Sequence, residues 1–189
     1  MTIRLCNAIF FLIAFQISLV FPQDFSWEII TNLNDGKEIL AQDSRLYVAT
    51  DGGFISYSIP DDRYEVYTTQ NGITEHNFTA AGISDKGLIT LGTLNGVVTF
   101  FDMANETLEE DFSLSGNEII SIQSIEDTLW IALKEMIAVY LYNSDKESFE
   151  FRDFFPNFNR NFETFHQIYY FDRKIWAASD DGLFYAPGN

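Results

Sequence analysis

The chain has 189 residues, 47% of them hydrophobic, enough for a packed core in one ordinary domain and too many for wholesale disorder. Its 28 acidic side chains outnumber 11 Lys and Arg, for a formal net charge of -17. Such a surface has no basic footprint for nucleic acid or an anionic membrane face, and neither is expected as a partner.

In chain order, residues 1–23, MTIRLCNAIFFLIAFQISLVFPQ, stand apart. Arg4 precedes an apolar run of 14 residues from Ala8 to Phe21, the length of a signal-peptide core and short of the roughly 20 that span a bilayer. Residues 1–23 therefore read as a signal peptide and the chain as exported, to the periplasm or the cell surface, although Phe21 and Gln23 fit the small-residue cleavage rule badly. The single cysteine, Cys6, lies ahead of the apolar run, so residues 24–189 hold no disulfide. No later stretch is apolar for long enough to be a membrane span.

From residue 24 onward the chain repeats itself. The copies LYVATDGGF (46–54), ITLGTLNGV (89–97), LWIALKEMI (129–137) and IWAASDDGL (175–183) are spaced by 43, 40 and 46 residues. Each follows an apolar or alternating run and a polar turn, and each of the first three is succeeded by another strand-like run: RYEVYTT, TLEEDFSL and SFEFRDF. A four-stranded unit every 40–46 residues is the signature of a β-propeller blade. Gly52-Gly53, Gly96 and Gly182 stand where the central hairpin of each blade needs a left-handed residue, and Lys134-Glu135-Met136 breaks that rule. With 19 Phe and 9 Tyr and no convincing helix, the fold class is all-β.

The blades are expected at about 37–69, 80–114, 119–154 and 166–186, all within one propeller region, 24–189. SWEIITN (26–32) matches the fourth strand of a blade and stands ahead of any first strand. It suits the completion of the last blade, which leaves two architectures: a closed four-blade ring, or an open arc of a larger propeller.

Residues 64–96, YEVYTTQNGITEHNFTAAGISDKGLITLGTLNG, carry a closer likeness. Thr68, Thr69, Asn71, Gly72 and Ile73, followed by Asp85, Gly92, Thr93, Asn95 and Gly96, resemble the two-component-regulator propeller repeat. Tyr47, Trp130 and Trp176 match the aromatic of its second strand. The resemblance implies an exported bacterial module of sensing or scaffolding type. It is similar to the sensor propellers of hybrid histidine kinases and to the N-terminal propeller of type IX secretion surface-attachment proteins.

Candidate chemistry is sparse. His76 and His166 lie ninety residues apart without a cysteine nearby, which is no metal-ligand spacing, so no metal or cofactor is expected. The acid pairs Asp61-Asp62, Glu109-Glu110-Asp111 and Asp180-Asp181 fall in turns or on an outer strand, where acids are ordinary surface residues. The most unusual stretch is FEFRDFFPNFNRNFETF (149–165), with seven Phe beside Arg152 and Arg160. Aromatic faces next to a guanidinium suit capture of a protein or oligosaccharide, and Arg152, Phe154, Phe155, Phe158 and Arg160 are the candidate binding residues. The competing reading is structural: alternating Phe149 and Phe151 face a neighbouring blade. The functional expectation is a non-catalytic ligand- or partner-binding module. The alternatives are a propeller lyase or glycosidase acting on polysaccharide, and an inactive N-terminal part of a longer propeller protein.

Overall fold

The computed structural model describes residues 33–155 and 164–187. They form 15 strands in antiparallel sheets, with one 3₁₀ turn at Thr69–Asn71. The first blade is β1 (Gly36–Gln42), β2 (Arg45–Thr50), β3 (Gly53–Ser58) and β4 (Arg63–Tyr67). The second is β5 (Phe78–Ile83), β6 (Leu88–Thr93), β7 (Val98–Asp102) and β8 (Thr107–Asp111). The third is β9 (Ile119–Ile125), β10 (Thr128–Leu133), β11 (Ile137–Asn143) and β12 (Ser148–Phe155). The last blade shows β13 (Phe165–Phe171), β14 (Lys174–Ser179) and β15 (Gly182–Pro187). Within every blade, strands pair in sequence order, as hairpin connections require.

Period-two alternation explains how the blades stack. On β6, Ile89 and Leu91 join Tyr47, Ala49 and Phe54 in a core between the first and second blades. Leu88 of β6 and Val98 and Phe100 of β7 belong instead to the core shared with Leu129, Ile131 and Tyr140 of the third blade. Trp130, Ala132 and Ile137 then meet Ile168, Ile175 and Ala177 of the last blade. Each internal blade is therefore apolar on both faces, the pattern of a sheet buried on both sides. β6 has no exposed residue anywhere along its length.

The turns follow from local chemistry. At the hairpin from β6 to β7, Gly96 has φ +82°, and a Cβ there would lie 2.1 Å from the Leu114 carbonyl oxygen. Thr93, at the end of β6, accepts the Val97 N–H through its hydroxyl at 2.9 Å, and Thr50 and Ser179 play the same part for Gly52 and Asp181. The third blade has lost both devices together. Leu133 replaces the hydroxyl residue, no residue of 133–136 is left-handed, and the loop closes by Leu133 N–H donating to the Met136 carbonyl at 2.8 Å.

The residues that carry the family resemblance have a structural job. Thr68 caps the 3₁₀ turn, the Asn71 side chain accepts the Thr68 N–H in return, and Gly72 ends it at φ +94°. Ile73 is thereby delivered into the core between the first two blades. Leu114 does the same between the second and third.

Consecutive blades approach at their first strands. Glu38 of β1 accepts the Ala81 N–H of β5 at 2.8 Å, Thr79 of β5 donates to the Ile119 carbonyl of β9 at 2.5 Å, and Ile168 N–H of β13 donates to Ser121 of β9 at 3.3 Å. The sheets do not close into a ring: among the described residues the last blade does not pack on the first, so the four-blade ring is replaced by an open arc. The expected strand at 26–32 and the signal segment 1–23 lie outside the described residues.

Candidate functional site

Because the blades converge at their first strands, their fourth strands splay, and a groove opens between β8 and β12. Its volume is about 400 Å³. Phe100, Phe149 and Phe151 make its floor. Phe149 stacks on Phe100 across the blade boundary with ring centroids 6.3 Å apart, and Phe151 meets Tyr140 edge-on at 5.5 Å. A hollow of about 140 Å³ shares Phe100, Glu109, Lys146 and Ser148 with it, so the two run together as one trough.

The walls are acidic. Glu110 accepts the Thr74 N–H at 2.8 Å and the Thr74 hydroxyl as well. Asp111 accepts the Tyr140 hydroxyl at 2.9 Å and the Ser113 N–H at 2.8 Å. Glu150 accepts from Asn143 at 3.0 Å and pairs with Lys146, whose ammonium holds that carboxyl below the usual carboxylate range. The Glu109 carboxylate is exposed, and its charge acts on the Lys146 ammonium. Burial, and then the Asp111 charge, push the Tyr140 hydroxyl far above its ordinary range, so it stays a neutral donor.

β12 decides where the candidate binding residues go. Tyr140 pairs with Phe151 and Val139 with Asp153, leaving Arg152 as the extra residue of a β-bulge. Before the bulge, Phe149 and Phe151 share the face toward the second blade. The extra residue reverses the parity, so Phe154, opposite Ala138, stays on that face and lies 5.2 Å from Phe151. Phe155, opposite Ile137, turns to the other face and meets Trp130 edge-on at 5.3 Å. Phe154 thus continues the Phe ladder beyond the groove lining, Arg152 is the exposed bulge residue near it, and Phe155 is divided from Phe154 and joins the packing toward the last blade. Phe158 and Arg160 lie outside the described residues. The structural reading of Phe149 and Phe151, facing the neighbouring blade, is the arrangement observed.

The acidic wall on β8 has no local signature in the sequence. Glu109-Glu110-Asp111 looks like any solvated outer strand, and only its place opposite the Phe ladder of β12 makes it one side of a groove. A second hollow of about 380 Å³ opens at the central hairpins, between Leu94, Asn117 and Met136. His166 contacts Asp180 at 2.6 Å, an exposed pair of surface type. No group of His, Cys, Asp and Glu among the described residues is arranged to hold a metal ion.

This architecture is that of a β-propeller, here an arc of stacked four-stranded blades. No family model matches the chain and no curated protein does. The solved structures that share the fold include the extracellular domain of BT3049 from B. thetaiotaomicron, described as a hybrid two component system. It is 18% identical with a TM-score of 0.61, over 88% of this chain and 22% of that one. PorZ, a bacterial surface component of the type-IX secretion system of Porphyromonas gingivalis, is 9% identical with a TM-score of 0.65, over 85% and 22%. BamB from Moraxella catarrhalis is 14% identical with a TM-score of 0.62, over 82% and 43%. The chain spans less than half the length of each of these proteins. No helix among the described residues is long and apolar enough to cross a membrane.

Proposed function

We propose that this chain is an exported, non-catalytic propeller module that binds a protein partner, as a sensor or scaffold at the cell surface or in the periplasm. The carrying observation is the trough between β8 and β12, with a Phe floor and carboxylate walls, beyond which Phe154 continues the Phe ladder. Such a trough favours an extended basic segment. Its Lys or Arg groups would meet Glu109 and Glu150, and its apolar side chains would lie on the exposed edges of Phe151 and Phe154. The carboxylates at Glu110, Asp111 and Glu150 are already engaged by neighbouring donors, which suits fixed recognition better than proton transfer. Export rests on the apolar run at 8–21 and on the extracellular and surface proteins that share the fold.

The test is titration of the full chain with a short alternating Lys/Leu peptide and with its Glu/Leu counterpart, followed by fluorescence anisotropy at low and high salt. The Lys peptide should bind and weaken as salt rises, and the Glu peptide should not bind. Glu109→Lys should weaken the Lys peptide about tenfold or more, a difference of about 1.4 kcal/mol. Equal affinity for both peptides, or an unchanged affinity in Glu109→Lys, would refute the groove as the binding surface.

A further inference from the structure

The blades of the arc use their two faces in a fixed order, and the two end blades break off that order with one face each uncovered. In the second strand of a blade, the second and fourth residues of the repeat face the following blade. Tyr47 and Ala49 do so in β2, and Trp130 and Ala132 in β10, with Tyr47 3% and Trp130 4% exposed. The equivalent pair in β14 is Trp176 and Ala178, and no described blade follows. Around Trp176, cross-strand pairing places Tyr169, Tyr185 and, opposite Ala178, Leu183 on the same face, and all three are more than half exposed.

The first and third residues of the repeat face the preceding blade. Ile89 and Leu91, Leu129 and Ile131, and Ile175 and Ala177 are all completely buried there. Their equivalents in β2, Leu46 and Val48, are only partly buried, and the same face carries Ile39, opposite Val48, and Tyr64, opposite Tyr57. Ile39 is 62% and Tyr64 68% exposed. One end of the arc thus shows a face built to receive a following blade, and the other a face built to receive a preceding one. The two are complementary in kind, and neither is built to pack on itself.

Charge agrees with this pairing. Between the second and third blades, Lys86 reaches from the first turn of one blade to Asp127 in the first turn of the next, at 2.8 Å, and lies over the Tyr142 ring at 5.5 Å. At the same end of the last blade's uncovered face stands Lys174, 4.6 Å above the Tyr185 ring, with Asp172 and Arg173 in the adjoining turn. At that end of the first blade's uncovered face stands Asp62, bonded to the Tyr57 hydroxyl at 2.9 Å, with Asp43 in the first turn of the same blade.

We infer that the occupant is a second copy of this chain. The last blade of each copy docks on the first blade of the other, head to tail, so that two arcs close one ring. A heterologous contact gives a closed ring when its rotation closes and a filament when it does not. The arc superposes on 43% of the BamB chain, so two arcs amount to about one propeller of that size. This self-association uses none of the groove residues, so it stands or falls apart from the binding reading above.

The test is the solution mass of the full chain by light scattering over a range of concentrations. Val48→Asp, which spoils only the preceding-blade face, and Trp176→Asp, which spoils only the following-blade face, are measured alongside. The wild type should have twice the mass of one chain. Each variant should fall towards the mass of one chain with an unchanged far-ultraviolet circular dichroism spectrum. An equimolar mixture of the two variants should recover paired species, because it contains one intact face of each kind. Charge exchange gives a second readout: Asp43→Lys and Arg173→Asp should each weaken pairing several-fold, and the double variant should restore it. A wild type of single-chain mass at every concentration would overturn the inference. So would mixed variants that never pair, or a ladder of ever larger species.

Discussion

Tyr140 shows how a single polar atom is placed in a blade interface. Its ring is fully buried between the second and third blades, and its hydroxyl reaches the rim to donate to Asp111 on β8. Removing that hydroxyl in Tyr140→Phe should cost about 1.5–3 kcal/mol, the range for a hydrogen bond to a charged group, measured by urea denaturation at pH 7. The folded state raises the Tyr140 ionisation above that of the unfolded chain. Its contribution is therefore fully present below about pH 10, the unfolded value, and is lost as pH rises further. Wild type should lose stability above that pH more steeply than Tyr140→Phe. Asp62, Glu106 and Glu147 hold equivalent left-handed positions, φ +49° to +54°, in the third turn of the first three blades. Glu106→Gly should raise stability by up to about 1 kcal/mol, because glycine adopts that conformation without the Cβ clash. At this scale the sequence was legible in part. The alternation of Phe149 and Phe151 announces a packed face. The bulge at Arg152 that separates Phe154 from Phe155 does not show, because it is defined by which residue of β11 stands opposite.

The element that repeats is a hairpin pair whose second strand lies deep in the stack. Gly92 on β6 is required by that depth: a Cβ there would lie 2.3 Å from Cγ2 of Ile119 on β9. Gly92→Ala should destabilise the chain by about 1–3 kcal/mol through overpacking at the boundary of the second and third blades, and Ile119→Ala in the same chain, which removes the clashing Cγ2, should make the double variant less destabilised than the sum of the two single changes. The hairpins themselves were readable from Gly52-Gly53, Gly96 and Gly182, since a left-handed residue is a local need, and the capping hydroxyls of Thr50, Thr93 and Ser179 emerge only in the structure. The third hairpin was readable only as an exception. Its closure through Leu133 and Met136, and the docking of the Phe165 N–H onto the Lys134 carbonyl at 2.9 Å, depend on the next blade arriving there. The groove belongs to this scale too. Its acidic wall and its Phe floor come from strands about forty residues apart in sequence, brought opposite one another by blade stacking alone. Phe154→Ala should lower the melting temperature by less than a fully buried Phe→Ala change would, because Phe154 is 37% exposed and keeps one ring contact with Phe151, and should weaken the Lys/Leu peptide several-fold.

Across the whole arc, each blade leans only on its neighbours, so stability is a sum of blade and boundary contributions. The two middle blades have two boundaries and the end blades have one each. At concentrations low enough to separate the copies, native-state hydrogen exchange should therefore be slowest in β6, β7, β10 and β11 and faster in β2 and β14, with Ile175→Ala accelerating exchange in the last blade. Equal protection across all blades would instead indicate that the outer faces are covered in solution, which the light-scattering experiment measures directly.

The sequence by itself determined the repeating strands and glycine turns of the described blades and the order of pairing within each blade. These are properties of neighbours along the chain: period-two alternation and a residue that tolerates positive φ. The tertiary structure decided what depends on the angle between blades. It left the ring open, it turned an ordinary acidic strand into the wall of a groove, and it covered Trp130 while leaving its counterpart Trp176 at an uncovered face. The physical reason is that the same strand chemistry is buried or displayed according to whether another blade stands beside it.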